Sequence, residues 1–268
     1  MLGQSRRCAV LGSPIKHSLS PVLHRAAYEA LGLDWSYEAI EVDSSSLEGF
    51  LDQLSAPWRG LSLTMPLKRT VMSLLTDVDD WARRSGAANT VILERGRRHG
   101  HNTDVTGAMA ALAERELGCK RVTILGAGAT AASIGLAVAE MGAVQIVIGA
   151  RNAANAADTI MRIRAHPNAP EVTLAAIDET IDTELLVSTI PASAQPALQV
   201  REVESVFEVI YDPWPTPLAE LAAERECPLI DGLDLLAHQA VGQVLLMTGE
   251  SVPVDVLRTA GRLALEAR

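Results

Sequence analysis

Cysteine is scarce in this chain of 268 residues, which has only Cys8, Cys119 and Cys227. An odd number of widely spaced cysteines provides no disulfide framework and is typical of a reducing compartment. Long apolar runs are lacking as well. The one near the N-terminus, residues 8–11, ends at Gly12 and is too short for a signal peptide, and no stretch approaches the length of a membrane span. We therefore expect a cytoplasmic protein.

Positive charge is also in short supply. The chain has 23 lysine and arginine residues against 33 aspartate and glutamate residues, and its formal net charge is −10. A nucleic acid or an anionic membrane would require a clustered basic face. The only local basic run contains Arg95, Arg97 and Arg98, which is more simply a solvated hairpin. We therefore expect neither a nucleic-acid nor a membrane partner.

The overall composition is that of a globular protein, with 48% hydrophobic and 21% charged residues. Two domains of modest size fit this length. Strand patterns alternate with helix patterns in both halves, which predicts an α/β fold with parallel sheets. Residues 86–93 and 99–104 interrupt this alternation and form a predicted β-hairpin. We place the domain boundary just after this hairpin, between Asp104 and Ala108.

Residues 122–148 have the pattern of a dinucleotide-binding site. A strand at 122–125 leads into Gly126-Ala127-Gly128-Ala129-Thr130 and a helix, and a second strand follows at 144–148. Small residues let the backbone approach a pyrophosphate, and free N–H groups at the start of the helix attract the anion. The alternative is that the glycines only relieve crowding in an α/β core.

The residues after the second strand bear on the identity of the dinucleotide. Sites for NAD usually carry Asp or Glu there for the ribose 2′-hydroxyl, whereas this chain has Arg151 and no carboxylate before Asp158. A guanidinium can hold a 2′-phosphate through two hydrogen bonds, so Arg151 favours NADP. The alternative is an ordinary solvated arginine at the start of a helix.

Lysine is much rarer than arginine and occurs only at Lys16, Lys68 and Lys120. Lys68 follows an apolar strand at residues 60–65 and a proline, Pro66. An amine can lose its proton and a guanidinium effectively cannot, so Lys68 is a candidate acid/base. The alternative is a lysine on a helix surface.

The N-terminal loop, residues 12–21, contains two candidate binding hydroxyls, Ser18 and Ser20. The loop leads from a strand into a helix. Ser20 suits the N-cap of that helix, and Pro21 suits its first position. Both serines could therefore be plain caps.

Seven segments of the chain are informative together: residues 12–21, 63–68, 86–90, 102–104, 126–130, 211–218 and 232–240. In order and spacing they resemble the shikimate dehydrogenase family. The resemblance covers nearly the whole chain and is far more specific than a glycine loop alone.

The resemblance implies a domain organisation that periodicity alone does not give. Residues 1–105 would form an α/β domain that binds substrate and carries the catalytic residues. Residues 106–235 would form a Rossmann-type domain that binds NADP. The C-terminal helices, residues 236–268, would return to the substrate domain.

The resemblance also implies roles for individual residues. Lys68 and Asp104 would be the catalytic pair. The substrate would be bound by Ser18, Ser20, Thr64, Asn89, Tyr211 and Gln239. The cofactor would be bound by Gly126, Ala127, Gly128, Ala129, Thr130, Arg151, Thr189 and Gly232.

The implied activity is the reversible reduction of 3-dehydroshikimate to shikimate by NADPH, a step of aromatic amino-acid biosynthesis towards chorismate. Two alternatives stay open: an NAD-using enzyme that also oxidises quinate, and a non-catalytic regulator that binds shikimate-like ligands. The presence of both Lys68 and Asp104 argues against the regulator. We expect a monomer or a homodimer. His99 and His101 have no third ligand in view, so no metal is expected.

Two departures from the family pattern bear on the cofactor. This chain has Ala129 where the family commonly has a further glycine. Members that bind NADP often carry Asn-Arg-Thr after the second strand, whereas here Arg151 lies between Ala150 and Asn152. The arginine is kept without its usual neighbours, which leaves the choice between NADP and NAD open.

Overall fold

A computed structural model describes residues 5–268 of the chain, except for the side chains of residues 196 and 197. The chain forms two compact units. The first contains the chain up to Gly107 together with Leu236–Arg268, and the second contains Ala108–Leu235.

The strands lie in both units. In chain order they are β1 (Arg7–Gly12), β2 (Ser36–Glu41), β3 (Trp58–Leu63), β4 (Asp77–Val78), β5 (Thr90–Glu94), β6 (Arg97–His101), β7 (Arg121–Leu125), β8 (Gln145–Gly149), β9 (Glu171–Ala175), β10 (Thr180–Ser188), β11 (Gln199–Glu208) and β12 (Leu229–Ile230).

The helices alternate with these strands over much of the chain. They are α1 (Ser20–Ala30), α2 (Leu47–Asp52), α3 (Leu67–Thr70), α4 (Asp80–Ser85), α5 (Thr103–Glu114), α6 (Ala129–Glu140), α7 (Ala153–Arg164), α8 (Pro217–Glu224), α9 (Gly232–Thr248) and α10 (Val254–Glu266).

The first unit is built on a mixed sheet with the strand order β2-β1-β3-β5-β6-β4. β1 pairs in parallel with β2 and β3, whereas β5 runs antiparallel to both β3 and β6. The interior strand β1 is buried on both faces from its second residue onward, while the edge strand β2 has buried Tyr37 and exposed or half-buried neighbours. The continuous apolar sequence of β1 therefore marks an interior strand, and the alternation in β2 marks an edge strand.

The second unit is built on a parallel sheet with the strand order β12-β11-β10-β7-β8-β9. The helix that follows β7, α6, is buried along Ala131–Ala139. Its sequence is rich in alanine, and small side chains let a helix lie close to other elements of a core. The predicted α/β fold is confirmed, and the predicted hairpin is present as β5 and β6.

Two local predictions were wrong. Ser20 is the first residue of α1 and not its N-cap, because the amides of Val22 and Leu23 already donate to the carbonyl of Leu19. Residues 77–84 are polar and their sequence predicts no helix or strand, yet they contain β4 and most of α4. Asp79 caps α4 by accepting a hydrogen bond of 2.6 Å from the amide of Ala82. Both elements are too short to show a hydrophobic period.

None of the helices within residues 5–268 is long and apolar enough to cross a membrane.

Candidate active site

One edge of the sheet in the first unit collects most of the predicted catalytic and substrate-binding residues. β1 and β3 run parallel and end at this edge. β5 is antiparallel to β3, so it begins there, with Thr90 opposite both Ser62 and the last residue of β6, His101. In α/β sheets, ligands bind beyond the carboxyl ends of the parallel strands. The loops at this edge, and the first turns of the helices that follow them, hold Ser18, Ser20, Thr64, Lys68, Asn89 and Asp104.

Lys68 and Asp104 form an ion pair at this edge. The Nζ atom of Lys68 donates to Oδ2 of Asp104 over 2.6 Å, and the two side chains are only 15% and 6% exposed. Partly buried charges are screened by salt much less than surface charges. The pair therefore combines an amine that can exchange a proton with a carboxylate that fixes its position.

Two hydrogen bonds and its place in the first turn of a helix position Asp104 in turn. Its Oδ1 accepts a hydrogen bond of 2.8 Å from Nδ2 of Asn89, and its backbone amide donates to Oδ1 of Asn102 over 3.0 Å. Asp104 also lies in the first turn of α5, where the partial positive charge of a helix N-terminus favours an anion. One carboxylate oxygen therefore faces Asn89 while the other faces Lys68.

Gln239 joins the same cluster from α9. Its Oε1 accepts from Nδ2 of Asn89 over 3.1 Å, and its Nε2 donates to the backbone carbonyl of Leu236 over 2.9 Å. The hydroxyl of Thr103 lies between the two side chains, 3.4 Å from Oε1 of Gln239 and 2.9 Å from Nδ2 of Asn89. The first unit thus brings together Lys68, Asn89, Asp104 and Gln239.

Three predicted substrate-binding hydroxyls, those of Ser18, Ser20 and Thr64, follow β1 and β3 in the chain. These loops are tied together by a hydrogen bond of 3.1 Å from the amide of Ser13 to the carbonyl of Met65. Ser18 is half-buried and its Oγ accepts from the amide of Ser20 over 3.3 Å, while Thr64 is half-buried beyond the end of β3. A hydroxyl bound to a carboxylate contributes roughly 1.5–3 kcal/mol. The binding roles of Ser18, Ser20 and Thr64 stay predictions.

The glycine loop of the second unit adopts a geometry that requires glycine at its first position. Gly126 has φ of 106°, and a Cβ there would overlap Oγ1 of Thr189. The loop continues through Ala127 to Gly128, which precedes the first residue of α6, Ala129. A Cβ on Gly128 would meet no other atom, so space is open there at the start of the helix. Such a helix start, with free N–H groups beside open space, suits a phosphate group.

The other predicted cofactor residues have different surroundings. Arg151 is exposed between β8 and α7, whose N-cap Asn152 accepts from the amide of Ala154 over 2.9 Å. The hydroxyl of Thr189 already donates to the carbonyl of Leu125 over 2.7 Å. Thr130 is half-buried in the first turn of α6.

Gly232 and Tyr211 also belong to the second unit. A Cβ at Gly232 would overlap the carbonyl group of Val209 and the backbone of Ile210, so the start of α9 needs glycine for close packing. Tyr211 is half-buried in the loop after β11. Cofactor contact by Gly232 and substrate contact by Tyr211 stay predictions.

Comparison with known proteins agrees with these features. Residues 10–91 match the family model of the shikimate dehydrogenase substrate binding domain. A shikimate dehydrogenase (NADP(+)) of Desulfitobacterium hafniense (strain Y51) is 34% identical over 262 residues, which cover 94% of this chain and 96% of that protein. The chain belongs to the shikimate dehydrogenase family. The resemblance inferred from the seven segments is thereby confirmed.

Two solved structures share the fold of this member of the shikimate dehydrogenase family. The enzyme of Thermus thermophilus, in complex with NADP(H) and shikimate, has a TM-score of 0.85 at 29% identity, over 97% of this chain and 99% of that chain. The ligand-free 5-ketofructose reductase of Gluconobacter sp. strain CHM43 has a TM-score of 0.86 at 27% identity, with the same coverage. The fold is therefore shared by proteins named for different substrates.

Sequence reasoning missed a second layer of polar residues in this shikimate dehydrogenase family member. Gln243, Thr90, Ser62 and His24 are buried and hydrogen-bonded behind Asn89. They come from α9, β5, β3 and α1 and are separated by up to 219 residues in the chain. The one available signal was that Gln243 follows Gln239 by four residues, which places both on one face of a helix.

The two histidines of β6 lie beside aspartates. Nδ1 of His99 is 2.7 Å from Oδ1 of Asp77, and Nδ1 of His101 is 3.3 Å from Oδ2 of Asp79. The hydrogen bond with His99 lowers the pKa of the Asp77 carboxyl. Within residues 5–268, no three His, Cys, Asp or Glu side chains are arranged to hold a metal ion.

Proposed function

We propose that this chain is an NADP-dependent shikimate dehydrogenase, which reversibly reduces 3-dehydroshikimate to shikimate. The observation that carries the proposal is the largely buried ion pair of Lys68 and Asp104 at the strand edge, 2.6 Å apart, in a chain of the shikimate dehydrogenase family. A regulator that only binds its ligand would not need a proton-exchanging amine there.

Lys68 handles the proton in this mechanism. Oxidation of a secondary alcohol leaves a hydroxyl proton to be removed, and in reverse a developing alkoxide must be protonated. The amine of Lys68 accepts that proton in one direction and donates it in the other. When bound, NADP supplies the hydride acceptor or donor. Asp104 fixes the position of Nζ, and hydroxyls such as those of Ser18 and Ser20 bind the substrate carboxylate.

The two units divide these tasks in our proposal. Residues 1–105 bind the substrate, because the ion pair and its polar neighbours lie there. Residues 106–235 bind NADP, supported by the positive φ of Gly126, the open helix start at Gly128 and the exposed guanidinium of Arg151. Residues 236–268 contribute Gln239 to the substrate side.

A panel of substrates tests the proposal and its rivals. The purified protein is assayed with shikimate or quinate, each with NADP or NAD, and with 5-ketofructose and NADPH, by nicotinamide absorbance. We expect the highest kcat/KM for shikimate with NADP. A higher kcat/KM for quinate with NAD, or for 5-ketofructose with NADPH, would replace the proposed substrate. Shikimate binding without turnover would restore the regulator.

We further propose that Arg151 selects NADP by binding its 2′-phosphate. Arg151→Ala removes hydrogen bonds between charged groups, so the KM for NADP should rise about 10–100-fold. The KM for NAD should stay near that of the wild type, because NAD lacks this phosphate.

The matched control is Arg162→Ala, which removes a guanidinium of α7 that pairs with Asp158 over 2.9 Å. It should leave the KM values for both cofactors unchanged. An equal rise of both KM values in Arg151→Ala would show that Arg151 does not select the cofactor.

A further inference from the structure

The amide of Gln243 lies at the centre of the polar layer behind Asn89. Its Nε2 donates to the backbone carbonyl oxygen of Asn89 over 3.2 Å and to Oγ1 of Thr90 over 3.0 Å. Its Oε1 accepts from Oγ of Ser62 over 2.8 Å and lies 3.1 Å from Nε2 of His24. Because a backbone carbonyl can only accept, the group that faces it must be the NH₂ group. The orientation of the Gln243 amide is therefore determined.

The orientation of Thr90 follows from that of Gln243. The hydroxyl oxygen of Thr90 accepts one hydrogen bond from Gln243, which leaves its own hydrogen to be donated to Oδ1 of Asn89 over 2.8 Å. Thr90 is fully buried, so water does not compete for either bond. The Thr90 hydroxyl therefore couples the orientation of the Gln243 side-chain amide to that of the Asn89 side-chain amide.

The Asn89 amide is fixed from two sides as a result. The backbone amide of Thr103, which can only donate, lies 2.9 Å from Oδ1 of Asn89, on the same oxygen that Thr90 contacts. Nδ2 of Asn89 must then face the acceptors, among them Oδ1 of Asp104 at 2.8 Å. This leaves Oδ2 of Asp104 for Lys68. A continuous, directed chain of hydrogen bonds runs from Gln243 to the lysine amine.

We propose that Thr90 and Gln243 are positioning residues that orient the Asp104 carboxylate through Asn89, and thereby hold the amine of Lys68 for proton transfer. This inference rests on the proposed function. Neither residue is assigned a contact with substrate or cofactor. In a buried network of this kind each donor and acceptor is matched, so removal of one hydroxyl leaves its neighbours free to adopt other orientations.

The test compares two substitutions of Thr90. Thr90→Val keeps the size of the side chain and removes the hydroxyl, whereas Thr90→Ser keeps the hydroxyl. Small displacements of catalytic groups cost up to about 10²-fold in rate. We therefore expect kcat to fall roughly 10–100-fold in Thr90→Val and to change much less in Thr90→Ser. In Thr90→Val, the fold-change in kcat should exceed the fold-change in the KM for shikimate. The pH profile of kcat should shift only in Thr90→Val.

Thr183→Val is the matched control. Thr183 lies in β10, is buried like Thr90, and donates its hydroxyl to the carbonyl of Arg121, the first residue of β7, over 2.9 Å. Its side chain is not hydrogen-bonded to Asn89, Thr90 or Gln243 among the described contacts of residues 5–268. Thr183→Val should lower the Tm and leave kcat and its pH profile close to those of the wild type. A second variant, Gln243→Met, has nearly the same size and should reproduce the kcat loss of Thr90→Val.

The outcomes separate this inference from the proposed function. If the wild type oxidises shikimate, a Thr90→Val protein with wild-type kcat and only a lower Tm overturns the inference. If Thr90→Val does not fold, the same result in Gln243→Met overturns it. Equal losses of kcat in Thr90→Val, Thr90→Ser and Thr183→Val would also overturn it. A wild-type protein that does not oxidise shikimate would contradict the proposed function itself.

Discussion

Replacement of Lys68 by alanine will lower kcat for shikimate oxidation about 10²–10⁴-fold, the usual contribution of a positioned acid/base. The Nζ atom is 2.6 Å from Asp104 and only 15% of the side chain is exposed, so bulk water cannot readily take its place. The KM for shikimate and the KM for NADP should change far less than kcat, since binding rests on other side chains. Steady-state kinetics with both substrates varied gives these values.

Lys68→Arg is the informative companion to Lys68→Ala. It keeps the positive charge beside Asp104 but cannot exchange a proton near neutral pH, so kcat should fall almost as far. If Lys68 and Asp104 act as one unit, the double variant Lys68→Ala with Asp104→Ala should be little worse than the worse single variant. Near wild-type kcat in Lys68→Ala would remove Lys68 from the mechanism.

Stability will fall as the pH is lowered from 6.5 to about 4, because His24 must be protonated when the protein unfolds. Burial lowers the pKa of His24 from 6.5 to about 4, and the hydrogen bond with Gln243 only partly opposes this shift. The unfolded chain therefore binds a proton in this pH range and the folded chain does not. The contribution of the neutral His24 to the free energy of unfolding, about 3 kcal/mol, is fully present above pH 6.5 and is lost by pH 4.

Urea unfolding of the wild type and of His24→Gln at several pH values measures this effect. His24→Gln will be less stable at neutral pH, because Gln cannot replace the ring that stacks on Tyr37 at a centroid distance of 4.0 Å. Its free energy of unfolding will depend less steeply on pH between 6.5 and 4. His17→Gln, at an exposed histidine, should keep the wild-type slope. Equal slopes in His24→Gln and the wild type would refute the assignment.

Local patterns in the sequence predicted much of the fold. The glycine loop could be placed because a strand, small residues and a helix follow one another within about 20 residues, and Gly126 indeed has positive φ. The hairpin could be placed because two short strand patterns flank a polar turn, but its bounds were wrong: residues 94–98 were left between the predicted strands, whereas β5 and β6 are joined by only two residues. The start of α1 was misassigned because Ser20 has the residue type of a cap, while the backbone bonds to Leu19 determine where the helix begins.

The candidate site could be predicted only as a set of residues. The family resemblance named Lys68, Asn89, Asp104 and Gln239, but the contact of Gln239 with Asn89 joins residues 150 positions apart. No spacing or period carries that information, because it depends on how α9 packs in the first unit. The same holds for Gln243, whose partner Thr90 is 153 positions away. Side-chain orientation in such a layer is a property of the packed structure alone.

The most direct test of the central claim follows the hydrogen that is transferred. Shikimate labelled with deuterium on the ring carbon that bears the oxidised hydroxyl is incubated with the protein and NADP, and the nicotinamide product is analysed by mass spectrometry. A shikimate dehydrogenase must transfer this hydrogen as hydride, so each NADPH formed should carry one deuterium. Unlabelled NADPH, or no NADPH while shikimate binds, would contradict the account.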